Sequence, residues 1–163
     1  MDADRHRHLG IFLNDHLAGA TVGRELSKRA ADENKGTPLG GFLEKLHAEI
    51  VEDRQTLRDV MDALDVGEDH LKTIVAQVGE RVGRLKPNGN LLSYSPLSRV
   101  VELEGLKLGV TGKESLWRAL PLLDDPRLAG FDFAALQRRA KRQLEGIEKH
   151  RLESARLAFE ESD

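Results

Sequence analysis

The sequence predicts an all-α fold, a four-helix bundle built from two antiparallel helix hairpins. Three observations point there. Apolar residues recur at spacings of three and four along four long segments, the period of a helix that buries one face. Runs rich in Gly, Pro and Asn separate those segments, at 34–38, 85–96 and 124–130, and break the helix where the chain must turn. With 163 residues the chain can also bury a core as one domain, 1–163 with a short mobile N-terminal lead, without disulfides or a structural metal.

The first helix is expected from about Leu9 to Glu33, with Leu9, Phe12, Leu13, His16, Leu17, Ala20, Gly23 and Leu26 on one stripe. Gly19 and Gly23 each weaken it by roughly 1 kcal/mol relative to Ala, which makes sense where another helix or a ligand approaches closely. Thr37 is the expected N-cap and Pro38 the first-turn residue of the second helix. Its stripe is Phe42, Leu43, Leu46, Glu49, Ile50, Asp53, Leu57, Val60 and Leu64, and the short connection makes it the antiparallel neighbour of the first. Leu71, Ile74, Val75, Val78 and Val82 predict a shorter helix over Glu68 to Arg84, followed by an irregular stretch to Pro96. That gives a crossover of roughly thirty residues, which lets the second hairpin start from the same end as the first.

Ser95 and Pro96 open the next helix, which is expected to reach about Leu123. Val100, Leu103, Leu106, Val110, Lys113, Trp117 and Leu120 form its stripe, and Gly105, Gly109 and Gly112 allow a kink or bulge near Val110. After Pro126 and Gly130 the last helix is expected from Asp132 to Glu160, with Leu136, Ala140, Leu144, Ile147, His150, Ser154 and Leu157 inward. Arg138, Arg139, Arg142, Glu145, Lys149 and Arg151 are read as its solvent-facing flank.

Composition narrows the function classes. Basic and acidic residues number 25 and 28, interspersed, so there is neither a basic nucleic-acid footprint nor an acidic tail. The absence of Cys excludes thiolate chemistry and disulfides. No signal-peptide core and no run of 18 apolar residues is present, so a cytoplasmic protein with no membrane or nucleic-acid partner is expected. Two copies are expected to pair as a homodimer through an apolar edge.

The functional signal is a set of polar side chains on or beside apolar stripes: His16, Glu49, Asp53, Lys113 and His150, with Glu102 at the edge of its helix face. Buried unpaired, each would cost several kcal/mol, so they must pair with one another, reach water or bind something. Three readings stay open. Lys113 can neutralise Glu49 or Asp53 in an internal network. Glu49 and Asp53, four residues apart, can instead offer oxygen ligands while His16 and His150 offer nitrogens, a set suited to Fe, Mn or Zn. A small acidic organic ligand is the third.

In helix count, order and crossover position the chain resembles the ferritin-like superfamily over nearly its whole length. It is also similar to an uncharacterised bacterial branch of ferritin-like helical proteins through NDHLAGA at Asn14 to Ala20, GTPLG at Gly36 to Gly40, and SPLSRVVELEGLKLGVTGK from Ser95 to Lys113. The resemblance implies the bundle and, through the superfamily's di-metal enzymes, a Glu from helices one and three with Glu-x-x-His from helices two and four. The chain departs from that pattern. Helix three can supply Glu102, and Glu44 and His47 have the spacing but lie near an end of helix two, with His47 off the main stripe; neither Glu49 nor Glu52 has a His three residues on, Glu145 is followed by Glu148, His150 is one position out of phase, and helix one offers Asp15 and His16. What is expected is therefore an interaction or structural module with a buried polar network, or alternatively a mononuclear or degenerate di-metal protein with redox or metal-binding activity.

Overall fold

The computed structural model describes residues 3–68 and 94–160. Four long helices make up most of them: α1 (Ala3–Glu33), α2 (Pro38–Ala63), α3 (Pro96–Ala119) and α4 (Phe133–Phe159), and among the described residues there is no strand. The expected helix over Glu68 to Arg84 lies, apart from Glu68 itself, outside the described residues.

Local chemistry sets each boundary. The α1–α2 turn passes through Gly36, whose φ of 78° is open to a residue without Cβ. Thr37 then caps α2, its hydroxyl accepting from the Gly40 N–H, with Pro38 in the first turn. At α3, Ser95 and Ser98 form a reciprocal capping box ahead of a continuous helix. α-Helix runs unbroken through the glycines without a π-bulge to Ala119; near Pro121 it gives way to two short 3₁₀ turns, Leu120–Leu123 and Pro126–Leu128. Asp132 caps α4 by accepting from the Ala135 N–H. α1 starts at Ala3, ahead of the start expected near Leu9, with Asp4 and Arg7 paired one turn apart.

Side-chain contacts fix the directions. Thr21 meets Arg54 and Ser27 meets His47, so α1 and α2 are antiparallel. Lys113 meets Gln143 and Lys107 meets Glu148, so α3 and α4 are too. Arg29 pairs with Glu102, Asp53 with Arg139 and Glu49 with Gln143, which makes α1/α3 and α2/α4 antiparallel as well and leaves α2 and α3 running the same way. The apolar interior is in two blocks. One, around Leu13, Leu57, Leu64 and Trp117, fills the end holding the α1 N-terminus; the other, around Ala30, Leu43, Leu103 and Ile147, fills the opposite end. At roughly 1.5–3 kcal/mol per buried large aliphatic or aromatic side chain, these blocks are the main source of stability. Between them sits a polar layer.

Candidate functional site

The polar layer is a buried network centred on Asp53, which is 2% exposed. Lys113 Nζ donates to Asp53 Oδ2 and to Gln143 Oε1, each at 2.6 Å. Arg139 donates to Asp53 Oδ1 and to Glu52 at 3.0 Å. The Gln143 amide donates to Glu49 at 2.8 Å, so this one side chain couples Lys113 to a second carboxylate. Three carboxylates of α2, Glu49, Glu52 and Asp53, thus meet two cations, Lys113 and Arg139, and the Gln143 amide from the opposite hairpin. Burial pulls the Lys113 ammonium below its ordinary pKa, against the attraction of Asp53 and Glu49.

Beside this layer a cavity of about 250 Å³ opens between α1 and α3. Its α1 wall is His16, Gly19, Ala20 and Gly23; its α3 wall includes Gly109, Gly112, Lys113 and Trp117; Ile50, Asp53 and Leu57 of α2 close it behind. A Cβ on Gly19, Gly23, Gly109 or Gly112 would meet nothing within 4 Å. None of the four carries a side chain into the surrounding space. Trp117 is 1% exposed, and its Nε1–H has no acceptor among the described residues.

His16 is half-buried against the Phe12 ring, at a centroid separation of 4.6 Å, and burial lowers its pKa below 6.5 despite Asp15. A folded pKa below the unfolded one contributes stability that is present above about pH 6.5 and is lost as pH falls towards the folded value. His150, lowered in the same direction by burial, adds to this. Urea unfolding is thus expected to show lower stability at about pH 5.5 than at about pH 7.5, with a smaller difference in His16→Gln; an unchanged difference would remove His16 from the cause.

The candidates do not all meet. Glu49, Asp53 and Lys113 converge, and His16 reaches the cavity from α1. His150 lies further along α4, its ring 4.8 Å from that of Phe42 and its Nδ1 3.8 Å from Glu153. Glu102 belongs to another cluster, at the far end of α3, where it accepts from Arg29 and from the Tyr94 hydroxyl. Asn34 donates to that hydroxyl and accepts from Arg99. Burial and Glu102 together push the Tyr94 phenol well above its ordinary pKa, so it serves as a neutral donor.

Among the described residues no group of three or more His, Asp and Glu comes together to hold a metal ion. The residues implied for iron, manganese or zinc therefore do not fit as a set, and the place beside Asp53 that a cation would take is held by the Lys113 ammonium. Two expectations need correction: Arg139, read as solvent-facing, turns onto Asp53, and Leu157, read as inward, is exposed. Gln143, Asn34 and Tyr94 were not recognised as candidates; Gln143 was legible, three residues after Ala140 and four before Ile147 on the inward stripe. Leu97, Val101 and Leu108 are exposed along one side of α3. No described helix is long and apolar enough to cross a membrane. Comparison with protein-family models, curated proteins and solved structures gives no match.

Proposed function

We propose that this chain is a ferritin-like bundle that works as a binding module, taking a small, mainly apolar molecule into the cavity between α1 and α3. The helix directions, with α2 and α3 parallel across a long connection, support the ferritin-like part. The carrying observation is the cavity itself: about 250 Å³ next to the chain's one Trp, in a bundle whose four flanking glycines leave the space unfilled. The space is open to solvent at its rim, where Leu108 is exposed, and it is large enough for a single ring with a short substituent, since enclosed apolar cavities of about 150 Å³ already admit benzene. The polar layer is then the structural wall that holds Lys113 at the edge of the cavity.

Toluene tests the reading. It is expected to shift the Trp117 emission saturably and to raise the melting temperature, as any ligand selective for the folded state must. Gly112→Leu, which adds a side chain where Gly112 leaves open space, is expected to weaken binding at least tenfold while retaining or gaining stability, since Leu is the better helix former. No response of the natural chain to toluene, or an undiminished response in Gly112→Leu, would overturn the proposal.

A further inference from the structure

The charges around the cavity say what the apolar molecule should carry, an inference that rests on the binding reading above. Arg54 lines the cavity from α2, one residue after Asp53, and is half-buried. Its Nε donates to the Thr21 hydroxyl at 3.1 Å, and that hydroxyl donates to the Leu17 carbonyl at 2.9 Å. The side chain is thereby anchored to α1 next to Ala20, which lines the same space. Both Nη groups are left without an acceptor among the described residues, and both stay open to water.

Arg54 also has no carboxylate partner among the described residues. Arg24 and Arg58 stand nearby, but each has its own, Glu25 and Glu68, so three guanidinium groups face two carboxylates. Burial, and then the charges of Arg24 and Arg58, weigh against the Arg54 cation, a cost that an arriving anion would reduce. The other charged groups on the wall are already dealt with. Both Asp53 oxygens receive N–H donors, from Lys113 and Arg139. Asp15 is exposed, where water and salt screen it, and burial favours the neutral form of His16. One unmatched positive charge suits a monoanion, and the two coplanar Nη groups suit the paired oxygens of a carboxylate. Ile50, Leu57, Val110 and Leu116 make much of the remaining wall apolar. We propose that the cavity selects an apolar monocarboxylate, a body of about one ring whose carboxylate accepts from the Arg54 Nη groups.

Calorimetric titration of the full-length protein with phenylacetate, its neutral counterpart phenylacetamide, acetate and toluene separates the outcomes. Phenylacetate is expected to bind about tenfold more tightly than phenylacetamide at low salt, the effect of one charge-assisted hydrogen-bonded pair, with a margin that shrinks as salt rises. It should also compete with toluene. Arg54→Gln is expected to erase the margin while toluene binding, which reports an intact fold and cavity, is unchanged; Arg54→Lys, which keeps the charge without the planar fork, should retain part of it. Equal affinity for phenylacetate and phenylacetamide, or phenylacetate binding that Arg54→Gln leaves undiminished, overturns the carboxylate inference and leaves the cavity as a binding site. Acetate binding as tightly as phenylacetate would put the anion on Arg54 outside the cavity, and overturns it too. Failure of toluene and phenylacetate alike to bind overturns the binding reading with it.

Discussion

Asp53→Ala is expected to destabilise the protein by about 3 kcal/mol, at the lower end of the range for removing one partner of a buried ion pair. The carboxylate is 2% exposed and is the shared acceptor for Lys113, Arg139 and Gln143. Without it the Lys113 ammonium, whose side chain is only 14% exposed, keeps the Gln143 oxygen as a partner and faces the positive charge of Arg139. Arg139 retains Glu52 at the surface, which is why the loss stays below the top of the range. Lys113→Met leaves Asp53 with Arg139 and Gln143 and should cost less. The double variant Asp53→Leu/Lys113→Met removes both charges and replaces them with apolar volume, so it is expected to fall within about 1 kcal/mol of the natural chain. A double-mutant cycle by urea unfolding measures the coupling. Additive losses would mean that the two side chains are not held as a pair.

That network also shows where sequence reasoning reached and where it stopped. Periodicity placed Glu49, Asp53 and Lys113 on inward stripes, and a buried carboxylate needs a cation, so their meeting was legible. Arg139 was not. On a helical wheel it lies one residue before Ala140, at the rim of the face, and a long side chain at a rim can point to water or reach inward depending on what the neighbouring helix offers. Here α2 offers Asp53. The histidines fail for a related reason. The buried face of α1 runs through Leu13, Leu17, Thr21 and Ser27, slightly rotated from the stripe through Phe12 and His16, and that rotation puts His16 on the cavity instead of in the core. His150 sits against Phe42 because Gly146 leaves room for that ring. The cavity had a partial signal: Gly19 and Gly23 marked a place of close approach or of a ligand, and the fold brings Gly109 and Gly112 to face the same space. Which of the two alternatives applied depended on the spacing of α1 and α3, and no single-helix pattern encodes an interhelical distance.

The cluster at the other end of the bundle depends on one glycine. Gly40→Ala is expected to cost about 3 kcal/mol, the upper part of the usual overpacking range, because the obstacle is backbone. A methyl group there would overlap the Asn34 carbonyl oxygen and lie 2.8 Å from its carbon. That same oxygen accepts from the Thr37 N–H at 3.2 Å and the Thr37 hydroxyl at 2.7 Å, and the hydroxyl in turn caps α2. Pushing Asn34 away therefore loosens the cap. It also moves the side chain, which donates to Tyr94 at 2.7 Å and accepts from Arg99 at 2.9 Å, so the disturbance passes to Glu102 on α3. Gly41, the next residue, is the control. Its Cβ would meet nothing within 4 Å, and Gly41→Ala is expected to stabilise by up to about 1 kcal/mol through helix propensity alone. Urea midpoints of the two variants should thus move in opposite directions. If Gly40→Ala also stabilises, the Asn34 turn has room to shift, and the close approach of α2 to that carbonyl is not what positions the Tyr94–Glu102 cluster.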